Sequence, residues 1–133
     1  TGDLVSSVVD VVEDRGITTA ILDVSFACHM PDTLEMPYLP NVAESCDKES
    51  SDGRIWRLGG NSCLSGDFKG DYFFNTPPVP GNRITLLDMN HYTTVKTTMF
   101  NGIAHPDLVL QHSDGTCEYL RRFDYEDYKN RMS

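Results

Sequence analysis

A chain of 133 residues has room for one domain with one modest core, since at this size folding buries roughly two-thirds of the surface that the unfolded chain exposes. Its apolar content of 39% excludes disorder and collagen-like repeats, and no apolar run approaches the roughly 20 residues that span a bilayer. Eleven Lys and Arg against twenty Asp and Glu give a net charge of −9, so neither nucleic acid nor a membrane is an expected partner, while cationic molecules suit such a surface.

The chain starts Thr1-Gly2-Asp3, without methionine, and is expected to be a piece cut from something longer. Leu4–Val12 is dense in valine, with Val5, Val9 and Val11 on one face at period two, and reads as a strand ended by acidic residues and Gly16. A second strand is predicted at Ile17–Ser25, where Asp23 interrupts an apolar run. Cys28–Pro40 holds three prolines and supports only a short helical turn around Asp32–Met36. Asn41–Gly53 is polar and reads as an exposed loop, and Arg54–Leu58 alternates as a strand leading into the glycine-rich loop Gly59–Asp67. Thr76–Gly81 is a rigid turn ahead of a strand at Arg83–Met89. The polar and aromatic stretch Asn90–Phe100 then reaches the turn signal Asn101-Gly102. Asp107–His112 and Thr116–Arg121 flank Ser113-Asp114-Gly115 as a hairpin, and Phe123–Met132 reads as a short helix with a solvated face. Many short strands joined by Gly and Pro turns predict a mainly β domain, a sandwich or an open barrel.

Cys63 stands in Gly-Gly-Asn-Ser-Cys-Leu-Ser-Gly-Asp, a setting in which glycines let the backbone approach a ligand and present a thiol as acid or nucleophile. The bland alternative is an ordinary buried cysteine. Asp67 is placed to orient this loop or to meet a basic group. Asp23 reads either as an anchor for a positively charged substrate group or as a strand-end aspartate accepting backbone N–H groups. His29, Asp32 and Glu35 crowd one stretch; the two carboxylates share a side of a helical turn, where they either bind amines or cap the turn, the cap being expected of Asp32. Tyr92, in Asn90-His91-Tyr92-Thr93, is a ligand contact or a packed aromatic with a wet tip. Cysteines at 28, 46, 63 and 117 form no Cys-x-x-Cys pair, so no metal site is assigned, and reduced thiols in a cytoplasmic protein are expected.

Three strings, Ile21–Tyr38 (ILDVSFACHMPDTLEMPY), Arg57–Tyr72 (RLGGNSCLSGDFKGDY) and Leu87–Gly102 (LDMNHYTTVKTTMFNG), together resemble carboxynorspermidine/carboxyspermidine decarboxylase. These enzymes are a branch of the pyridoxal-phosphate-dependent decarboxylases related to ornithine and diaminopimelate decarboxylases. The resemblance runs through nearly the whole chain but covers only the C-terminal third or so of such an enzyme. It implies the C-terminal β-sandwich or barrel-like domain of an alanine-racemase-like fold, over residues 1–133, without its (β/α)8 barrel. Residues 20–40 or so would form a segment returning toward the active site.

By the same resemblance, the active site is completed across a head-to-tail homodimer. Cys63 takes the place of the cysteine that serves protonation of Cα in the partner subunit's site, Asp23 contacts the substrate's distal amine, and Tyr92 reaches the phosphate of pyridoxal 5'-phosphate. Asp67 matches an acid that supports the loop or the dimer contact. Leu64 departs from the ornithine-decarboxylase relatives, which carry an acid directly after the cysteine. The lysines here, at 48, 69, 96 and 129, match no Schiff-base lysine, so the piece alone is expected to be inactive. The implied reaction converts carboxynorspermidine or carboxyspermidine to norspermidine or spermidine. Two alternatives stand beside it: a sister decarboxylase acting on diaminopimelate, ornithine or arginine, and an acidic β binding module without catalysis.

Overall fold

In the computed structural model, which describes residues 2–133 and leaves Thr1 outside, the chain begins with a long antiparallel pair, β1 (Leu4–Asp14) and β2 (Ile17–Leu22). Two short helices follow, α1 (Phe26–His29) and α2 (Asp32–Glu35), before β3 (Trp56–Gly59), β4 (Phe68–Tyr72) and β5 (Arg83–Leu86). Helix α3 (Tyr92–Lys96), the hairpin β6 (Leu108–Gln111) and β7 (Cys117–Arg121), and helix α4 (Tyr125–Met132) complete the order. The first five strands form one curled half-barrel sheet in the order β4-β3-β2-β1-β5, so the mainly β expectation holds. All its pairings are antiparallel except β2 with β3, whose parallel alignment needs a long crossover. That crossover carries α1 and α2.

One face of the sheet makes the core. Val8, Ala20, Leu22, Trp56, Leu58, Ile84 and Leu86 are buried from its strands, and Val24, Phe26, Met30, Val42, Phe74 and Met89 close over them. Each such large side chain contributes about 1.5–3 kcal/mol on leaving water. The predicted valine face of β1 is corrected. Val5 and Val9 are exposed, whereas Ser6 and Val8 point inward, Ser6 donating its hydroxyl to the Ile84 carbonyl at 3.2 Å. Between Val8 and Asp10 the register with β2 shifts, leaving Val9 as an extra residue. Beyond this bulge the inward parity changes, so that Val11, opposite Ala20, packs against the core.

Other boundaries also move. Strand β2 ends at Leu22 and β5 at Leu86, while α1, β4 and α3 form in stretches where no such element is predicted. Asp32 is not a cap: Pro31 holds that position, and Asp32 lies buried in the first turn of α2. The C-terminal hairpin and helix form as expected, with Asp124 and Asp127 exchanging side-chain-to-backbone bonds in a capping box.

Candidate active site

The glycine-rich loop leaves β3 at Gly59 and returns at Asp67, whose buried carboxylate organises it. Asp67 Oδ2 accepts from the Ser25 hydroxyl at 2.8 Å, from the Ser62 amide at 3.2 Å and from the Ser62 hydroxyl; Oδ1 accepts from the Ala27 amide at 3.0 Å. Two donors therefore come from the start of α1 and two from the loop. Backbone bonds add Gly60 N–H to the Asp67 carbonyl at 2.7 Å and Asn61 N–H to that of Val24 at 3.0 Å. A Cβ on Gly60 would lie 2.3 Å from Asp67 Oδ2, so the close approach requires glycine there.

Ser25 is also the N-cap of α1, accepting from Cys28 N–H at 3.0 Å. Its own amide donates to His29 Nδ1 at 3.1 Å, which leaves Nε2 as the protonated nitrogen, donating to the Ala104 carbonyl at 3.0 Å. Burial holds His29 neutral, its pKa lowered to about 4. The segment that His29 anchors also receives α1: Thr98 N–H donates to the Cys28 carbonyl at 2.9 Å, and Cys28 Sγ to that of Phe100 at 3.6 Å. Asn101, in the left-handed region at φ 61°, turns its Oδ1 onto Cys63 N–H at 3.3 Å. Cys63 itself is exposed, so the buried-cysteine alternative does not hold for it.

Asp23, exposed just beyond β2, adopts the strand-end arrangement. Its amide donates to the Ser7 carbonyl at 3.0 Å and its Oδ1 accepts from Ser7 N–H at 2.8 Å, extending the β1–β2 ladder by one side chain. Tyr92 opens α3 and is 62% exposed, with the Lys96 ammonium 5.9 Å from its ring centre. Lys96 pairs with Glu35, which raises the lysine's pKa. Glu35 is exposed but Asp32 is buried, accepting from the Tyr38 hydroxyl at 2.8 Å through Oδ2; its Oδ1 has no partner among the described residues. Burial, with the Asp32 carboxylate second, pushes the Tyr38 hydroxyl up to about 12.

No hydrogen bond joins Cys63, Asp23 and Tyr92 to one another among the described residues, and none of them lines the cleft of about 200 Å³ between the start of β1, α3 and β6. His29 and His105 line it. Nothing local in the sequence marks Ser25 as a site residue, and the only local sign of Asn101's role is the Asn-Gly turn. The four cysteines are free, and no group of three or more His, Cys, Asp or Glu among the described residues could hold a metal. No helix among them is long and apolar enough to cross a membrane.

No family model matches the chain. A carboxynorspermidine/carboxyspermidine decarboxylase from Campylobacter jejuni is 42% identical over 98% of this chain and 37% of its own length. The crystal structure of carboxynorspermidine decarboxylase from that organism, complexed with norspermidine, superposes on 98% of this chain and 38% of that one with a TM-score of 0.91. The chain is homologous to the C-terminal part of the carboxy(nor)spermidine decarboxylases. A carboxyaminopropylagmatine decarboxylase from Synechocystis sp. is 51% identical over 99% of the chain and 34% of its own length. The chain thus spans about a third of the length of the curated relatives it matches, carboxy(nor)spermidine decarboxylases included. Diaminopimelate decarboxylase from M. jannaschii, at 17% identity and a TM-score of 0.77, shares the fold of the domain.

Proposed function

We propose that this chain is the C-terminal domain of a decarboxylase of carboxylated polyamines, and that it supplies Cys63 to an active site completed across a homodimer. The observation that carries the reading is the Cys63 loop: an exposed thiol on glycine-flanked backbone, tied down from beneath by a buried aspartate, in a domain homologous to such enzymes. Pyridoxal phosphate, when bound, supplies an electron sink for the bond to the departing carboxylate. Of the residues here, Tyr92 fits a single hydrogen bond to its phosphate through an exposed hydroxyl. None of the lysines matches the Schiff-base lysine of the resemblance, so the reading leaves that group to the rest of the enzyme.

The chain's own residues then have separate tasks. Cys63 Sγ holds the proton delivered to the carbon that loses its carboxylate. Asp23, with Oδ1 committed to Ser7, offers Oδ2 to a substrate ammonium in a charge-assisted contact. Carboxynorspermidine or carboxyspermidine would yield norspermidine or spermidine. Carboxyaminopropylagmatine is the second reading, favoured by the 51% identical relative from Synechocystis sp.. A cytoplasmic enzyme fits four free cysteines.

In the full-length protein, Cys63→Ala is expected to lower carbon dioxide release by about a hundredfold or more while cofactor absorbance is unchanged. Turnover at the wild-type rate removes Cys63 from the reaction. Mixing that variant with a protomer lacking the Schiff-base lysine is expected to restore part of the activity, and verified heterodimers without restoration reject the shared site. A panel of the three carboxylated polyamines alongside ornithine, arginine and diaminopimelate decides the substrate.

A further inference from the structure

We infer that Lys69 is a positioning residue for substrate binding: reaching out of β4, its ammonium takes the Thr33 carbonyl that α2 leaves without a donor, and so fixes the turn that carries Asp32 and Glu35. The inference rests on the proposed function and on the return of residues 20–40 or so toward the active site, and adds what holds that segment in place.

Helix α2 is a single turn with a gap in its bonding. Each carbonyl of an α-helix accepts from the amide four residues on. Pro31 accordingly accepts from Glu35 N–H at 2.9 Å, and Asp32 from Met36 N–H at 3.0 Å. Next in the series is Thr33, which falls opposite Pro37, a residue with no N–H to give. Thr33 is fully buried, so water does not supply the missing donor. Lys69 Nζ supplies it.

The lysine brings a fixity that α2 lacks. It stands opposite Leu58 of β3, a core residue, and its half-buried side chain crosses from the edge of the sheet to the helix. Among the described residues, every other hydrogen bond on Asp32–Met36 comes from within residues 30–38, apart from the pairing of Glu35 with Lys96. That pair is exposed at both ends and reaches only α3, itself five residues long, so it adds little rigidity. Lys69 is thus the tie between this turn and the sheet. Since α3 packs against α2 and carries Tyr92, a shift of the turn would move Asp32 and Glu35 relative to Tyr92.

In the full-length holoenzyme, Lys69→Met, which keeps an unbranched side chain and removes the donor, is expected to speed amide hydrogen exchange at residues 34–36 by about tenfold or more. Exchange at residues 60–66 should stay within about twofold, because the backbone ladder of β4 is untouched. KM for the carboxylated polyamine that the enzyme decarboxylates should rise about fivefold or more with kcat within about twofold, because the loss falls on binding and not on the proton step. Adding Pro37→Ala supplies the missing N–H, and the double variant should return exchange and KM to within about threefold of wild type. Unchanged exchange at residues 34–36 overturns the inference. So does faster exchange with native KM, or a double variant that exchanges as fast as Lys69→Met. Should the wild-type enzyme turn over no carboxylated polyamine, the proposed function fails separately, and exchange in the single and double variants alone decides whether Lys69 holds α2. Should Lys69→Met fail to fold, the double variant decides, since the inference requires it to fold and to protect residues 34–36 as wild type does.

Discussion

The hydroxyl of Ser25 and the carboxylate of Asp67, 42 residues apart in the chain, meet at 2.8 Å in the interior of the domain. One residue caps a four-residue helix and the other closes a glycine-rich loop. Neither element could hold its shape alone, because a single helical turn and an exposed loop each return too few internal bonds for the order they require. Their contact makes a rigid corner of two weak pieces.

Gly60 is the tightest test of that corner. Its missing Cβ leaves room for Asp67 Oδ2, and a methyl group there would sit 2.3 Å from it. Gly60→Ala is expected to cost roughly 2 kcal/mol or more, because the carboxylate must give up bonded positions to move. Urea denaturation measures this, and a midpoint equal to wild type would show that the corner has slack.

His29 gives the fold a pH dependence. In the unfolded chain the imidazole titrates at its ordinary value of 6.5, and in the folded chain at about 4, chiefly because it is buried. His105 faces it and opposes protonation, whereas Asp67 and Asp23 favour it without overcoming burial. Between those values the unfolded chain binds the additional proton, so stability rises with pH and is lost as pH falls from about 6.5 toward 4, by roughly 3 kcal/mol in full. Protonation would also place a donor on Nδ1 against the Ser25 amide. Denaturation midpoints at pH 7 and pH 4.5, compared between wild type and His29→Gln, should show a smaller difference in the variant. Equal differences reject the assignment to His29.

Asn101 combines a backbone role with a side-chain one, and two substitutions separate them. Its φ of 61° is a left-handed position that alanine resists and glycine accepts, and its Oδ1 receives Cys63 N–H. Asn101→Ala should therefore be less stable than Asn101→Gly by about 1 kcal/mol. Both should speed exchange of the Cys63 amide to the same extent. Unequal exchange would mean that backbone strain, and not the lost acceptor, reaches the loop.

Tyr72 anchors the middle of the crossover to the sheet. Its hydroxyl, buried and with its pKa raised by that burial, donates to the Pro40 carbonyl at 2.7 Å. Tyr72→Phe keeps the ring against Phe74 and leaves a carbonyl without its donor, at a cost of about 1–3 kcal/mol. A loss below about 0.5 kcal/mol in thermal or urea unfolding would place the carbonyl in reach of water.

What could be read from the residues depends on how far each structural cause lies along the chain. The β6–β7 hairpin is legible because Asp114 and Thr116, two residues apart, make its turn through bonds of 2.9 Å and 2.6 Å. Strand β4 escapes because Phe-Lys-Gly-Asp-Tyr at a sheet edge buries only Tyr72, so no alternation marks it. Helix α1 escapes because its cap, Ser25, is itself oriented by an aspartate in another element. The bulge at Val9 inverts the faces of β1 through a register that only the partner strand sets. Within the site, Cys63 and Asp67 stand out through their glycines, a local signal. Ser25 and Asn101 act through contacts 38 or more residues away and carry no local mark equal to that role.

Because β2 and β3 run parallel, the chain must leave the sheet after Leu22 and return by Trp56, and the sheet fixes those two points without fixing the route between them. No residue of Pro31–Leu39 takes part in a strand ladder. Asp32, Glu35 and Tyr38 all belong to this excursion. Strand pairing therefore sets no register on that stretch. The parallel pair makes the excursion obligatory and leaves its path to contacts other than strand pairing.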